Sequence, residues 1–225
     1  MKHILTILSL LLWSTLSMAQ VTSFTIDSSK FNKPLIAFLD SLYQDDQAPR
    51  LNYLSALDKK ESVARVDSLK NIMREKDKVN LVRVKAIIDK YGWLGPQKVG
   101  FQGSQTLFLV IQHADLTTQE QYLPMIRTAE KNGEILSSNL ALLEDRINMR
   151  QGKKQVYGSQ TFYDKKSDKV YFYPIEDPDR LDERRRSMGL GPIKDYAVLS
   201  RIKWDIEAYK KMLPEIEEMA RQRKL

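Results

Sequence analysis

Cysteine is absent from this sequence of 225 residues, and only two histidines occur in it. A chain without cysteine has no disulfide framework, no thiolate zinc site, no catalytic thiol and no lipid anchor attached to cysteine. The sequence also has no phosphate-binding glycine loop, no dinucleotide-binding glycine motif, no serine-nucleophile elbow and no paired-histidine metal motif. These absences exclude most common enzyme classes, and they predict a protein that uses no metal and no other cofactor.

Long apolar runs are scarce as well, and the clearest one lies at the N-terminus. Lys2 supplies a positive start, Ile4 to Leu12 are apolar, and Ser17-Met18-Ala19 has the small-x-small pattern of a cleavage site. The run is shorter than the roughly 20 residues that a membrane-spanning helix needs. We therefore predict a signal peptide at residues 1–19, no transmembrane segment after its removal, and a periplasmic or secreted protein.

Charge gives a second indication of partners. The chain carries 36 basic and 29 acidic residues, for a net charge of +7, and the basic residues are dispersed among acidic ones. A basic exported protein meets anionic envelope surfaces before it meets nucleic acid. We expect a polar small molecule, a glycan or a peptide as partner, and no nucleic acid; the oligomeric state stays open.

Apolar spacing predicts a mainly α protein, an orthogonal helical domain with one β-hairpin and a long helical N-terminal half. Residues 20–29 are rich in serine and threonine and are predicted to form a flexible tether. Residues 30–200 are predicted to form a single helical domain, with a hairpin of β-forming residues near 155–174. Residues 201–225 are predicted to form a C-terminal helix, part of the domain or appended to it.

Four boundaries follow from turn and capping residues. The first helix is predicted to end before Asp45–Pro49, and Gly92 to cap a long helix that begins near Val63. Leu107 to Ile111 is predicted as helix rather than buried strand. A last helix is predicted to open at Asp195 and to continue through Tyr209.

His113 is the histidine that remains once the signal peptide is removed. A zinc site there would need two carboxylates, and no acidic cluster at ligand spacing accompanies it. His113 is a candidate general acid or base, and Asp115 can be its partner if the helix ends between them. In the alternative interpretation His113 is a hydrogen-bonded structural residue and Asp115 caps the next helix.

Two charged segments also have two interpretations each. Asp145 and Arg146 form a buried ion pair with another element, or they lie on a solvated helix face. The run Arg184 to Arg186 is an anion site, or it is the solvated last turn of a helix, where the dipole favours cations.

The polar motifs, taken in order, resemble an uncharacterised bacterial family known only as a domain of unknown function, over roughly Asp46 to Tyr196. The chain resembles those members of the family that are common among exported proteins with a signal peptide. The resemblance implies a polar constellation on a mostly helical domain and brings no assigned reaction. The motifs are Asp46-Gln47-x-x-Arg50, Asp77-x-x-Asn80, Tyr91-Gly92-Trp93-Leu94-Gly95, Gln112-His113-Ala114-Asp115, Asp145-Arg146, Gln155-x-Tyr157-Gly158-x-Gln160, and Arg184-Arg185 through Gly189-Leu190.

From this resemblance we expect the motif residues to converge on one site. The catalytic candidates stay His113 and Asp115, which the residues themselves suggest and the resemblance does not. The best functional hypothesis is an envelope module that binds a glycan or peptide or has a structural role. A metal-independent hydrolase that uses His113 as general acid or base is the alternative, and a partner-interaction protein of toxin or immunity type is the third. The candidate ligand-binding residues are Gln112, Arg146, Tyr157, Gln160, Asp145, Arg50 and Arg185.

Export gives the first testable prediction. We expect the mature protein to begin at or near Gln20 and to occur in the periplasmic or secreted fraction, because the cleavage pattern ends at Ala19. Mass spectrometry of the N-terminus in each cell fraction measures this. Protein that retains Met1 and stays in the cytoplasm would contradict both the localisation and the argument for envelope partners.

Overall fold

The computed structural model describes residues 20–223, so the predicted signal peptide lies outside the described residues. The described chain contains eight α-helices and one two-stranded antiparallel sheet, which confirms the mainly α prediction with its helical N-terminal half. None of these helices is both long and apolar enough to cross a bilayer. The elements are α1 Lys33–Asp58, α2 Val63–Tyr91, α3 Pro96–His113, α4 Leu116–Lys131, α5 Ser137–Arg150, β1 Thr161–Asp164, β2 Lys169–Phe172, α6 Leu181–Ser187, α7 Ile193–Leu199 and α8 Ile206–Arg221, with 3-10 turns at Ser28–Lys30 and Pro178–Arg180.

Helix α1 passes through Pro49, so the predicted end before Asp45 is wrong. Proline inside a helix removes one backbone hydrogen bond and crowds the preceding turn. Burial of the Pro49 ring offsets this cost, and the Arg50 guanidinium donates to the Asp46 carbonyl oxygen at 2.7 Å. The uninterrupted helix keeps Asp46 on a buried face.

Helix α2 begins at Val63 as predicted, and Gly92, at φ 69°, follows its last residue. The next helix, α3, includes the predicted helical run Leu107 to Ile111 but contains a break at Gly100, where φ is also 69°. Trp93 fills the α2–α3 connection and is 8% exposed. The α2–α3 turn therefore brings α3 back against α1 and α2.

Helix α4 begins directly after α3. The Asp115 side chain accepts the Thr118 amide at 2.8 Å and is the N-cap of α4. A helix that ends at His113 and a second that begins at Leu116 leave little chain between them. The end of α3 is therefore joined directly to the capped start of α4.

The predicted hairpin is confirmed as β1 and β2, with Thr161 paired to Phe172 and Asp164 to Lys169. Its buried face packs on the C-terminal part of the chain: the Phe172 ring meets the ring of Trp204, between α7 and α8, edge-on, with centroids 5.6 Å apart. A two-stranded sheet is marginal alone, so this aromatic contact is what stabilises it.

The prediction of one last helix from Asp195 through Tyr209 is wrong, because α7 ends at Leu199 and α8 begins at Ile206. Arg201 has a left-handed backbone, with φ 56°, and ends α7. The connecting segment carries Trp204, whose ring centroid lies 5.0 Å from that of Tyr209. Packing of this partly buried indole against Tyr209 and Phe172 outweighs the helical periodicity of the sequence.

Two apolar clusters form the core. The first joins α1 to α5 through residues such as Leu42, Val84, Ile111 and Leu143. The second joins the hairpin to α6, α7 and α8 and includes Phe162, Phe172, Ile175, Leu181, Ile193, Tyr209 and Ile216. The C-terminal half of α5 and the loop after it connect the two clusters.

The N-terminal segment 20–29 touches the first cluster. The Val21 amide donates to the Ser137 hydroxyl at 2.7 Å, and the Ser137 amide donates to the Val21 carbonyl at 3.0 Å. The Phe24 and Phe101 rings lie 6.1 Å apart. The flexibility of this tether and the domain limits stay predictions.

Gly158 gives a test of the connecting loop. Its φ is 66°, and an added Cβ would lie 3.2 Å from the Ile193 Cδ1 atom and 3.3 Å from that of Ile175. We expect Gly158→Ala to lower the free energy of unfolding by about 1–3 kcal/mol, through backbone strain and crowding together.

Gly152→Ala is the matched control, since Gly152 has φ 70° with nothing within 4 Å of the new Cβ. It carries only the left-handed strain, about 1–2 kcal/mol. Urea denaturation compares the two variants. Equal losses would show that Ile175 and Ile193 give way and that the loop is not tightly packed.

Candidate functional site

Asp46 and His113 form the centre of the candidate site. Asp46 lies on α1 and is 1% exposed, and His113 is the last residue of α3. The His113 Nδ1 atom lies 3.1 Å from the Asp46 Oδ1 atom, although 67 residues separate the two in sequence. The packing of α3 against α1 therefore builds a carboxylate–imidazole pair.

Arg50 connects this pair to helix α2. Its guanidinium lies 3.4 Å from the Asp46 Oδ1 atom and donates to the Asp77 Oδ1 atom at 2.6 Å. The side chains of Arg50, Asp77 and His113 are 15%, 20% and 16% exposed, so this group reaches the surface while Asp46 lies beneath it. Three helices thus contribute four ionisable groups to one network.

The protonation states follow from burial and partners. Burial alone would raise the pKa of Asp46, but the His113 ring, the Arg50 guanidinium and the Gln47 amide outweigh it and lower that pKa. Burial lowers the pKa of His113, against the opposing effect of Asp46 and with help from Arg50 and Arg146. At neutral pH the carboxylate is ionised and the imidazole neutral. Since a carboxylate only accepts, we assign the proton to Nδ1, which leaves Nε2 as an acceptor.

Asp77 has the opposite tendency. Burial raises its pKa, although the hydrogen bond from Arg50 lowers it in part. The two carboxylates that share Arg50 therefore differ: Asp46 holds its charge more firmly than Asp77 does.

Arg146 approaches the same place from α5. Its Nε donates to the Gln160 Oε1 atom at 3.2 Å, and an Nη donates to the Gln112 carbonyl oxygen at 3.1 Å. Both partners are neutral, and burial, with the nearby Arg150 and Arg50, lowers the pKa of Arg146 to about 10. A largely buried guanidinium paired only with neutral oxygens retains capacity for a further acceptor.

These contacts also complete the end of helix α3. The Gln112 carbonyl accepts from Arg146 and from the Gln119 side chain, the latter at 2.6 Å, and the Ala114 carbonyl accepts from Arg150 at 2.6 Å. Last-turn carbonyls have no partners within their own helix, and cations near them are favoured by the dipole. Arg146 therefore has a structural role whatever else it binds.

Asp145 has a different structural role from that of Arg146. Its fully buried carboxylate accepts from the Val156, Tyr157 and Ser159 amides at 2.6, 2.9 and 2.9 Å. Burial raises its pKa, and these three amides oppose that effect. Asp145 thus anchors the loop that presents Gln160 to Arg146.

Arg185, on α6, and Tyr157, on the loop after α5, contact each other rather than the Asp46 pair. Arg185 donates to the Tyr157 carbonyl at 2.6 Å and to the Gly191 carbonyl at 2.7 Å. Burial and the nearby Glu144 and Asp145 carboxylates raise the pKa of Tyr157 to about 12. These two residues position the loop.

A sequence profile described as a family of unknown function, DUF6624, matches residues 42–209. That span is more than half of the chain and contains every site residue named above. The chain belongs to the DUF6624 family. Comparisons with curated proteins and with solved structures found no match. Family membership agrees with the resemblance of the motifs to an uncharacterised domain, and it assigns no reaction or ligand.

Of the residues proposed for the DUF6624 site, the structure brings together Gln112, His113, Arg146, Gln160 and Arg50 through the contacts above. Asp115 is placed elsewhere, because its carboxylate caps α4 and the His113 ring faces Asp46 instead. Asp145, Tyr157 and Arg185 support the loop behind the site.

Sequence reasoning did not select Asp46 and Asp77 as site residues. A signal for them existed, since both belong to motifs of the resemblance, Asp46-Gln47-x-x-Arg50 and Asp77-x-x-Asn80. Because the first helix was predicted to end before Asp45, Asp46 was not assigned to the same helical face as Arg50. Asn80, one turn beyond Asp77, is fully buried, and its amide has no hydrogen-bond partner among the described residues.

No acidic cluster at ligand spacing accompanies His113 in the sequence, but the fold brings two distant carboxylates to it. One possible ligand atom from each of Asp46, Asp77 and His113 lies within 4.8 Å of the others. Two carboxylates and an imidazole suit a divalent cation. Arg50, however, already contacts both carboxylates and supplies positive charge between them. Independence from metal stays a prediction for this DUF6624 chain.

Acidification gives a test of the His113 environment. Burial lowers the pKa of His113 below its ordinary 6.5, so between pH 7 and 5 the unfolded chain binds more protons at this residue than the folded chain. Stability must then fall as pH falls through about 6.5. We expect His113→Gln to weaken this dependence, because glutamine keeps a hydrogen bond to Asp46 and does not titrate.

Urea denaturation at pH 7.5 and pH 5.5 measures the difference for both proteins. The lowered pKa of Asp46 affects stability only at still lower pH, since its ordinary value is 3.8. An identical loss in wild type and His113→Gln would mean that His113 titrates as it does in the unfolded chain.

Proposed function

We propose that the DUF6624 chain is exported to the cell envelope. There it binds a polar ligand of the glycan or peptide class, at the site formed by His113 and Arg146. The observation that carries this proposal is the Arg146 guanidinium, which is largely buried and hydrogen bonded only to neutral oxygens. Neutral partners leave its charge uncompensated locally, and a hydroxyl, amide carbonyl or carboxylate of a ligand supplies a further acceptor.

The charges around the site limit the kinds of ligand that it can bind. Asp46 and Asp77 place negative charge beside Arg50, while Arg146, near Arg150, adds positive charge that no carboxylate contact among the described residues offsets, so the site presents both signs of charge. A long polyanion would meet the Asp46 and Asp77 carboxylates as well as the guanidiniums. A neutral or zwitterionic ligand with several hydrogen-bonding groups fits better, which supports sugars and peptides over polyanions.

General acid–base catalysis is the second candidate function, and a specific contact favours it. The buried Asp46 carboxylate orients His113 through Nδ1 and leaves Nε2 as an acceptor on a side chain that reaches the surface. This arrangement is the one in which an imidazole removes a proton from water or substrate. Hydrolysis of the bound glycan or peptide would proceed through that nitrogen.

Thermal-shift and calorimetric screening against cell-wall glycan fragments and short peptides tests the binding proposal. A ligand at 100 times its dissociation constant adds about 2.7 kcal/mol to stability, which moves the melting temperature by several degrees. We expect Arg146→Lys to weaken binding at least tenfold, since lysine lacks the planar set of donors. We expect the wild-type shift to be the same with a chelator present.

Arg127→Lys is the matched control, because Arg127 pairs with Glu144 on the surface and has no contact with His113. Both variants are compared by circular dichroism, so that loss of binding is separated from loss of fold. Absence of any ligand-induced shift across the screen, or equal binding by Arg146→Lys and wild type, would refute the proposal. Product release that His113→Gln abolishes while binding persists would favour the catalytic function.

A further inference from the structure

We propose that the cleft between the C-terminal ends of α5 and α8 is a second binding site, which takes a small molecule through its phosphate group. The cleft has a volume of about 520 Å³, which is the size of a small-molecule pocket. One acidic side chain, Glu217, and five basic side chains line it. The basic residues are Arg150, Lys153, Lys154, Arg221 and Arg223.

This imbalance of charge distinguishes the cleft from others on the molecule. In each of three other clefts, with volumes from about 460 to 760 Å³, the numbers of acidic and basic side chains differ by at most one. A cleft lined by charges of one sign concentrates the electric field and attracts ions of the opposite sign. The chain's overall charge of +7 is therefore not spread evenly over its clefts.

The cations approach the cleft from two sides. Arg150 ends α5 and Lys153 follows it by three residues, whereas Arg221 is the last residue of α8. The Lys154 Nζ atom lies 2.8 Å from the Glu217 Oε1 atom, and this ion pair joins the two sides. A ligand held between them can accept hydrogen bonds from both.

Three of the five cations have no carboxylate partner within ion-pair distance in residues 20–223. Lys153 is exposed and forms no ion pair there. Arg223 donates to the Tyr163 carbonyl at 3.1 Å, and Arg150 donates to the Ala114 carbonyl at 2.6 Å. Because these partners are neutral, the positive charge of all three residues is available to an anion.

The helix dipoles do not balance these cations. The C-terminal end of a helix carries about half a negative charge, so the ends of α5, α8 and α3, which Arg150 contacts, supply about 1.5 units. Glu217 adds one unit, and Glu218 adds another through its pair with Arg221. Against five cations, a positive charge of about 1.5 units remains.

The arrangement favours phosphate over a carboxylate. A phosphate monoester carries a charge of about −1.5 to −2 at neutral pH, which is close to the remaining positive charge, and its three free oxygens accept from several directions. A carboxylate has two oxygens in one plane, and a single guanidinium can serve both. Cations on two sides of a cleft therefore match the tetrahedral group better.

A long polyanion fits this region less well than a small molecule does. Helix α8 carries Glu207 and Glu215 as well as the pair Glu217 and Glu218, so a polymer that followed the helix would meet four carboxylates. Inside the cleft, Tyr173 and Pro174 are buried, and Met149 adds a further apolar contact for the body of a ligand.

Calorimetric titration with pyrophosphate and with inorganic phosphate, in a buffer of fixed ionic strength, tests the proposal. We expect both to bind, pyrophosphate the more tightly, and we expect Lys153→Gln to weaken pyrophosphate binding about tenfold, through loss of one charge-assisted hydrogen bond. Lys153→Arg should bind as wild type does. Because Lys153 is exposed, the melting temperature without ligand should be the same for all three proteins.

Lys59→Gln is the matched control. Lys59 is also an exposed lysine just beyond a helix end, so this variant loses the same charge outside the cleft and should bind pyrophosphate as wild type does. Equal weakening by Lys59→Gln and Lys153→Gln would overturn the proposal, since only net charge would then matter. Citrate that binds as tightly as pyrophosphate, or no heat of binding with either phosphate probe, would overturn it too.

Two further measurements identify the place and the source of the phosphate. Loss of pyrophosphate binding in Arg146→Lys, with binding retained in Lys153→Gln, would move the anion to the site beside His113 and reject the cleft. Tighter binding to phosphatidic acid vesicles than to pyrophosphate would assign the cleft to a lipid headgroup and reject a small molecule. Neither result depends on whether the site beside His113 binds a glycan or peptide.

Discussion

Burial of the C-terminal end of α3 is the constraint on which the site depends. The last carbonyls of a helix need donors from outside that helix, and at α3 water does not supply all of them. Gln119, Arg146 and Arg150 donate instead. The need for donors therefore fixes α4 and α5 against α3, and it holds His113, the final residue of α3, in one position.

The same constraint extends to the second apolar cluster through two consecutive residues of α5. Arg146 turns toward α3, and Asp145 accepts three amides of the loop after α5. Neither residue forms an ion pair with the other, since each satisfies backbone groups on a different side of the helix. That loop leads directly into the hairpin, so a demand for hydrogen bonds at one helix end sets where the hairpin begins. Removal of Asp145 would leave buried amides unpaired, which costs about 1–3 kcal/mol for each group.

Local sequence signals predicted the features that depend on neighbouring residues. Gly92 marks a helix end because glycine adopts positive φ freely, and the β-forming residues near 155–174 mark the hairpin. The same signals failed at Pro49, where packing of the ring outweighs a broken hydrogen bond. They failed also between Leu199 and Ile206, where packing of the partly buried Trp204 interrupts the helical period. Propensity is decided within a few residues, whereas packing is not.

The partner of His113 could not be predicted from neighbouring residues, because packing between distant segments determines it. Asp115 is close in sequence, but the helix boundary at Ala114 turns its carboxylate to the start of α4. Asp46 becomes the partner only because α1 stays helical through Pro49 and packs on α3.

The difference between a binding site and a catalytic one lies in how Asp46 is used. A carboxylate that is almost fully buried is costly unless each oxygen is occupied, and here His113 and Arg50 contact one oxygen while Gln47 donates to the other at 2.6 Å. Because Asp46 is only 1% exposed, a ligand does not reach it directly, so its effect must pass through the two side chains that it holds. It fixes the tautomer of His113, and it holds Arg50 where that residue also reaches Asp77. A ligand of the proposed site would therefore meet His113, Arg146 and the edge of Asp77 rather than Asp46 itself. Whether the proposed ligand would be only bound or also cleaved depends on what it places against the Nε2 atom of His113. An amide or hydroxyl hydrogen there would give binding, and a water molecule beside a scissile bond would give hydrolysis.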